Sequence, residues 1–175
     1  MQYYLILSAL GEKNPQLASQ LSLAIKDTGC NIMDSRFSIL GSDFSMILFL
    51  SGTWDAVAKI ENMLPKLQDQ LGMSISSKRT TLSENASNLL PYAIDIVAFD
   101  QPGIVYDITK FMHENNIEIQ DMLSNTYKAV NTSAPMFSLH MTVNIPSDIS
   151  IASIRGDFIE FCDQKNFDAI MEPIK

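Results

Sequence analysis

Alternating hydrophobic and polar positions mark several segments of this chain as β-strands. Near the start, Leu5, Leu7 and Ala9 alternate with other side chains, and a longer alternation fills residues 137–145. Because neighbouring side chains of a strand point to opposite faces, such segments predict sheets with one buried face and one open face. In the longer strand the predicted inward residues are Phe137, Leu139, Met141, Val143 and Ile145, and the outward residues are Ser138, His140, Thr142 and Asn144.

Hydrophobic residues at helical spacing follow two prolines, Pro15 and Pro102. Proline suits the first position of a helix because its ring presets the backbone dihedral and the missing N–H is not needed there. Both helices are therefore expected to begin at the proline. Their predicted buried faces are Leu17, Leu21, Ala24 and Ile25 in the first helix and Ile104, Ile108, Phe111 and Met112 in the second.

These two helices superimpose when the chain is shifted by 87 positions, and the match extends into the following strands. Ile32 and Asp34 fall on Ile119 and Asp121, which indicates a tandem repeat. Later in the first half, a second helix is predicted behind a Thr53 cap and ends at Gly72. Pro65 is expected to kink or break it. In the second half the corresponding helix is predicted for residues 150–164.

The element order β-α-β-β-α-β therefore occurs twice. This order predicts an α+β protein of two tandem ferredoxin-like domains, each an antiparallel four-stranded sheet with its helices on one face. The expected domains are residues 1–80 and 92–175, joined by the polar linker 81–91. Uncovered sheet edges are expected to pair, either between the two units or with a second chain in a homodimer.

Charge and cysteine content exclude several classes of protein. The net charge is -8, from 12 basic and 20 acidic residues, and the longest basic stretch is Lys78-Arg79. Direct binding of nucleic acid is therefore not expected. Cys30 and Cys162 lie far apart without metal-ligand spacing, which favours a reducing, cytoplasmic location without disulfides or a metal site. No apolar run reaches the ~20 residues of a membrane span.

Catalytic motifs are missing from the chain. None of the GxSxG, HExxH, P-loop or GxGxxG patterns occurs. The two histidines, His113 and His140, fall on polar sides of a predicted helix and strand, and both cysteines fit as buried hydrophobic residues. An enzyme is not expected, and no cofactor is implied.

The sequence "DQPG" lies between a predicted strand and a predicted helix, and it is the best candidate for a binding site. Gly103 leaves the first helical N–H groups without a neighbouring Cβ, and a helix N-terminus binds carboxylates. Asp100, with Glu118 or Asp121, is expected to meet an ammonium group, so a free amino acid fits. The alternative is that Asp100 caps the helix and Gly103 eases the turn. We call residues 100–105 the second seam; they are Asp100, Gln101, Pro102, Gly103, Ile104 and Val105.

The whole chain resembles tandem ACT domains, regulatory modules that bind amino acids, and "DQPG" resembles their usual ligand loop. More closely, residues 28–65 (TGCNIMDSRFSILGSDFSMILFLSGTWDAVAKIENMLP) resemble the proteobacterial family of glycine cleavage system transcriptional repressors. The resemblance implies a protein that senses a small amino acid, with glycine the first candidate. It also implies that the protein restrains a transcriptional activator by protein contact, without binding DNA itself.

In ACT pairs the ligand lies between one domain's loop and the neighbour's strand start, so the resemblance implies a facing wall of Asn31, Ile32 and Asp34. Their alternative roles are a turn residue, a core residue and a solvated strand end. The corresponding first seam, residues 12–17, reads Glu12, Lys13, Asn14, Pro15, Gln16 and Leu17. Gln16 stands where the family usually has glycine, which obstructs a ligand unless the Gln16 amide contributes a hydrogen bond.

Two further functions use the same fold. One is a ligand-independent protein-interaction module, in which both seams are structural. The other is an RNA-binding domain of the RRM type, which stacks bases on sheet aromatics. The outward Ser138, His140 and Thr142 and the negative net charge argue against the RNA-binding domain.

Overall fold

The computed structural model describes residues 1–82 and 88–174. Each half of the chain contains four strands and two helices in the order β-α-β-β-α-β, as the repeat predicts. The elements are β1 (Tyr3–Glu12), α1 (Leu17–Thr28), β2 (Asn31–Leu40), β3 (Asp43–Gly52), α2 (Trp54–Leu71), β4 (Met73–Thr80), β5 (Leu89–Phe99), α3 (Ile104–Glu114), β6 (Glu118–Lys128), β7 (Pro135–Pro146), α4 (Ile151–Lys165) and β8 (Asp168–Pro173).

The chain divides into two compact units, Met1–Glu84 and Asn85–Lys175. Each unit holds one antiparallel four-stranded sheet, with strand order β2-β3-β1-β4 in the first and β6-β7-β5-β8 in the second. In both orders the first and third strands of the unit lie at the centre. This confirms the predicted fold class, two tandem ferredoxin-like units.

One hydrophobic core lies between the helices and the sheet of each unit. In the first, Leu5 and Leu7 of β1 are fully buried together with Leu21 of α1 and Ile60 of α2. In the second, the predicted inward residues of β7 are all buried, and they cluster with Ile108 of α3 and Phe158 of α4. The helices therefore cover one face of each sheet and leave the other face open.

The two sheets share an irregularity at the same place. The pairing of β2 with β3 shifts register between Ile32 and Asp34, and the pairing of β6 with β7 shifts between Ile119 and Asp121. These are the positions that the 87-residue shift superimposes. The repeat thus extends to a β-bulge, which bends each edge strand near its start.

Helix boundaries differ from the prediction in two places. Helices α1 and α3 begin at Leu17 and Ile104, two residues after each proline, so the expectation that they begin at the proline is wrong. In α3 the reason is Gly103, whose φ of 97° is left-handed and outside the helical range. Helix α2 continues through Pro65 to Leu71 instead of breaking. The buried Leu64 and Leu67 anchor it on both sides of the proline.

The predicted linker is shorter in the structure. Strand β5 begins at Leu89, so residues 89–91 belong to the sheet and not to the linker, and Pro91 pairs with Asn144 of β7. Residues 83–87 of the predicted linker lie outside the described residues. No helix of the described chain is long and apolar enough to cross a lipid bilayer.

Candidate ligand-binding site

Each seam is fixed to its sheet by one backbone hydrogen bond at an equivalent position. The N–H of Asp100 donates to the carbonyl oxygen of Pro135, with 3.0 Å between nitrogen and oxygen. In the first unit the N–H of Lys13 donates to the carbonyl oxygen of Ser42, also at 3.0 Å. Both seams therefore lie beside the hairpin that joins the two strands after the first helix.

Helix α3 begins without a side-chain cap. Its first backbone bond runs from the N–H of Asp107 to the carbonyl oxygen of Gly103, at 2.9 Å. Within residues 1–82 and 88–174, the N–H groups of Ile104, Val105 and Tyr106 have no acceptor. The alternative interpretation, in which Asp100 caps this helix, is therefore wrong.

The second helix of each unit provides the contrast. Thr53 Oγ1 accepts from the N–H of Ala56 at 3.2 Å, and Ser150 Oγ accepts from the N–H of Ser153 at 3.4 Å. These caps satisfy donors at the starts of α2 and α4. Helix α1 also begins without a side-chain cap, so the missing cap is shared by the first helix of each unit and distinguishes those helices from α2 and α4.

The space around Gly103 is open. The residue is exposed, and a Cβ built on it would meet no atom within 4 Å. Asp100, Gln101 and Pro102 are exposed as well, whereas Ile104 is buried and anchors the helix to the core. A small anion can therefore reach the free N–H groups from solvent.

An ion pair limits the negative charge at this helix start. Asp107 lies in the first turn of α3, and its carboxylate is 2.9 Å from Nζ of Lys165 at the end of α4. Lys165 offsets a charge that would otherwise repel a bound carboxylate. The positive end of the helix dipole thus remains available.

The first seam is more closed. The Oδ1 of Asn14 accepts from the N–H of Gln16 at 3.0 Å, and the carbonyl oxygen of Asn14 accepts from the N–H of Leu17 at 3.2 Å. The chain itself thus occupies the N–H of Leu17, which corresponds to Ile104, and that of Gln16, which corresponds to Gly103. Gln16 is the N-cap, with right-handed φ and ψ of -86° and -17°, and its side chain lies beside Gln20.

A cleft of about 450 Å³ lies next to the first seam. Its walls include Glu12 and Lys13 on one side and Leu71 and Gly72, from the end of α2, on the other. Leu17, a candidate binding residue from the sequence, also lines this cleft although most of its side chain is buried in the core. This cleft is therefore formed by the first seam together with the end of α2.

Within one unit, the strand-start residues do not approach the seam. Glu118 pairs with Asn144, whereas Phe99 pairs with Met136, eight residues away along β7, which is roughly 26 Å at about 3.3 Å per residue. The expectation that Glu118 or Asp121 joins Asp100 is therefore wrong within this unit. Asn31, Ile32 and Asp34 likewise lie at the end of the first sheet opposite residues 12–17.

Two aromatic residues beside the second seam are not among the predicted site residues. Phe99, at the end of β5, is 67% exposed, and Tyr106, in the first turn of α3, is 65% exposed. The sequence does contain a signal that could have identified these two residues. Each directly adjoins the seam, and the hydrophobic pattern of its strand or helix does not predict that it is buried. Exposed aromatics of this size are typical of binding surfaces.

The cysteines and histidines lie away from the seams. Cys30 and Cys162 are buried and unbridged, and burial, followed by the charge of Asp163, raises the pKa of the Cys162 thiol to about 12. His140 is exposed on the open sheet face, with its Nδ1 2.7 Å from Oδ1 of Asp95. His113 is exposed on α3.

The comparisons with known proteins agree with this architecture. Residues 3–78 match the model of the ACT domain. The glycine cleavage system transcriptional repressors of Escherichia coli (strain K12) and Shigella flexneri are each 30% identical over 165 residues, which is 94% of this chain and 87% of theirs.

Two solved structures share the fold over the full chain. An unknown protein from Galdieria sulphuraria is 21% identical, with a TM-score of 0.80 and complete coverage of both chains. A protein described as a candidate glycine cleavage system transcriptional repressor is 20% identical, with a TM-score of 0.76 and coverage of 100% of this chain and 99% of its own. Taken with the curated relatives, these findings show that the chain is a tandem ACT-domain protein of the glycine cleavage system transcriptional repressor family.

Proposed function

We propose that this chain is a non-enzymatic regulator that binds a small amino acid at the second seam and thereby changes its affinity for a transcriptional activator. The observation that carries the proposal is the uncapped start of α3, where the N–H groups of Ile104, Val105 and Tyr106 have no acceptor among the described residues. The names of the curated relatives make glycine the first amino acid to test.

The carboxylate of the amino acid binds at the helix start. Free N–H groups and the positive end of the helix dipole both favour a negative group there. Gly103 keeps the approach open because it has no side chain and its surroundings are empty to 4 Å. The first seam supports the second unit as the ligand-binding one, since Asn14 already occupies the N–H of Leu17, the counterpart of Ile104, and Gln16 stands in place of Gly103.

The ammonium group is held by Asp100. This carboxylate is exposed, lies in the same loop, and forms no side-chain hydrogen bond or ion pair with the described residues. An amino acid that contacts both Asp100 and the helix start bridges the end of β5 and the beginning of α3. Bridging of this kind is the means by which a small ligand changes the packing of the unit.

The state of the cysteines supports a role without covalent catalysis. A thiolate is the reactive form, and a pKa of about 12 keeps Cys162 protonated at neutral pH.

Regulation through a partner requires a coupling free energy of about 1–3 kcal/mol between the amino acid and the partner.

A thermal-shift screen over the standard amino acids, followed by calorimetry, tests this function. Specific stabilisation by one small amino acid is expected, and it reaches about 2.7 kcal/mol when the ligand is at 100 times its Kd. The affinity for the purified activator of the glycine cleavage genes is then measured with and without that amino acid. If no amino acid produces a thermal shift or heat, the sensor function is wrong and a ligand-independent interaction module replaces it.

A further inference from the structure

The open face of the second sheet, which points away from α3 and α4, carries exposed hydrophobic side chains on three of its strands. Val97 and Phe99 lie on β5, Leu123 and Tyr127 on β6, and Ile170 on β8. Leu123, on the edge strand, is 64% exposed. A set of apolar side chains spread across one flat face is typical of a surface that meets another protein.

These apolar residues follow the rows of the sheet. Leu123 and Ile170 lie at the two ends of one cross-strand row, with the His140 and Asp95 pair between them. Tyr127 and Phe99 lie at the two ends of another row, on either side of Met136. The apolar positions therefore extend across the width of the sheet and reach the second seam at Phe99.

The charges on this face have one sign. The carboxylates are those of Asp95, Glu118, Asp121, Asp168 and Glu172. Of these, only Asp95 has a partner among the described residues, His140. The only lysine or arginine in these four strands is Lys128, which aligns with Pro135 on the helix-facing side of the pleat.

The open face of the first sheet differs in charge although it occupies the same place in its unit. There Arg36 pairs with Asp34 at 2.7 Å, and Lys78 lies on β4. Its exposed hydrophobic residues include Ile6 and Ile47. Both open faces are partly apolar, so the difference between them is in charge. The second sheet carries carboxylates and fits a basic partner, whereas the first carries charges of both signs.

We infer that the open face of the second sheet is the docking surface for a basic, amphipathic segment of a partner protein. Apolar side chains of the segment pack on Leu123 and Ile170, and its lysines or arginines meet the surrounding carboxylates. Charge complementarity of this kind raises the association rate and rejects acidic partners. The inference rests on the proposed function only in taking the activator as the natural partner.

Docking on this face adjoins the second seam. Phe99 is part of the face, and the next residue, Asp100, begins the seam. A ligand that moves the backbone of Asp100 therefore also moves a side chain that the partner contacts. This is the physical link by which an amino acid changes partner affinity in the proposed function.

The first experiment uses two synthetic 12-residue peptides, one alternating lysine with leucine and one alternating glutamate with leucine. Binding to the full chain is measured by calorimetry at two salt concentrations. The lysine peptide is expected to bind, more weakly at high salt, and the glutamate peptide is not. Equal binding of both peptides, or of neither, overturns the inference whether or not the activator binds.

The second experiment places variants on the two open faces. Two variants test the second sheet: Leu123→Ser, and the double variant Asp121→Lys with Glu172→Lys. Each is expected to lower the affinity of the chain for the lysine peptide and for the purified activator by about tenfold. Ile47→Ser, at a residue 51% exposed on the first sheet, is the matched control and is expected to leave both affinities unchanged. Loss of binding in Ile47→Ser alone contradicts the assignment.

The activator measurement separates this inference from the proposed function. If the lysine peptide depends on Leu123 but the activator does not bind the wild-type chain, the docking surface stands and the activator is the wrong partner. Molar mass by light scattering tests the remaining occupant of the face, a second copy of the chain. A dimer that Leu123→Ser dissociates would assign the face to self-association and overturn the inference.

Discussion

The backbone N–H of Asp100 donates a hydrogen bond to the carbonyl oxygen of Pro135, with 3.0 Å between the two atoms. This bond joins the second seam to the first residue of β7, and it does not involve the Asp100 side chain. The position of the seam is therefore independent of that carboxylate. Substitutions at residue 100 can consequently separate ligand binding from folding.

Asp100→Ala is expected to weaken amino acid binding while leaving the free energy of unfolding nearly unchanged, because the side chain has no partner in the described structure. Asn14→Ala is the contrasting change. It removes the acceptor of the Gln16 N–H and is expected to cost about 1 kcal/mol of stability. Urea denaturation and calorimetry of both variants give the two quantities, and equal stability losses would contradict this assignment of roles.

Gly103→Val is expected to abolish the thermal shift produced by the amino acid, because the new side chain projects into the open approach to the helix start. The left-handed φ of 97° adds a cost of about 1–3 kcal/mol in stability. Gly41→Val is a matched control, since Gly41 also has a left-handed φ, 64°, and no atom within 4 Å of a built Cβ, but lies in the hairpin of the first unit. A ligand response that survives in Gly103→Val would discard this site, and a response lost equally in Gly41→Val would attribute the loss to backbone strain.

The ion pair of Glu61 and Arg79 is expected to make the free energy of unfolding depend on pH in the acidic range. A side-chain hydrogen bond from Arg79 holds the pKa of the Glu61 carboxyl below its ordinary value of 4.5, although partial burial opposes the shift. Because the folded pKa is the lower one, the stabilisation is present above pH 4.5 and is lost as the pH falls through the folded value. Denaturation curves from pH 3 to 7 should show Glu61→Gln less stable than wild type at neutral pH, with the difference vanishing in acid.

The Cys162 thiol is expected to resist alkylation in the native protein. Burial raises its pKa to about 12, so the thiolate needed for attack on iodoacetamide is scarce at pH 8. Cys30 is also buried and is expected to be inaccessible to the reagent. Mass spectrometry after brief labelling should show no modification until denaturant is added. Rapid native labelling of Cys162 would contradict its buried environment.

Periodicity predicted most of the fold because alternation and helical spacing are set by which face of an element is buried. Strand residues 137–145 and the helix faces that include Leu21 and Ile108 are buried as expected. The hydrophobic pattern alone could not show that α2 passes through Pro65. Burial of the flanking Leu64 and Leu67 offsets the backbone hydrogen bond that Pro65, which has no N–H, cannot donate.

The site was less predictable. The sequence identified the loop from Asp100 to Gly103, but whether Asp100 caps the helix depends on side-chain geometry that spacing does not specify. The grouping of Asp100 with Glu118 was wrong because β5 and β6 both run antiparallel to β7 and therefore point the same way. Asp100 follows the last residue of β5, whereas Glu118 is the first residue of β6, at the other end of the sheet. The two hydrogen bonds that Asn14 accepts from the N–H groups of Gln16 and Leu17 in the first seam likewise depend on loop geometry that the sequence does not specify.

The loop between β6 and β7 makes the second seam accessible to spectroscopy. Val130 in this loop is 98% exposed, and the loop ends at Pro135, whose carbonyl oxygen binds Asp100. With both native thiols buried, a cysteine introduced at Val130 would be the preferred attachment point for a fluorophore. Such a reporter, placed on a short tether beside the seam, would let occupancy be followed in real time while the core remains undisturbed.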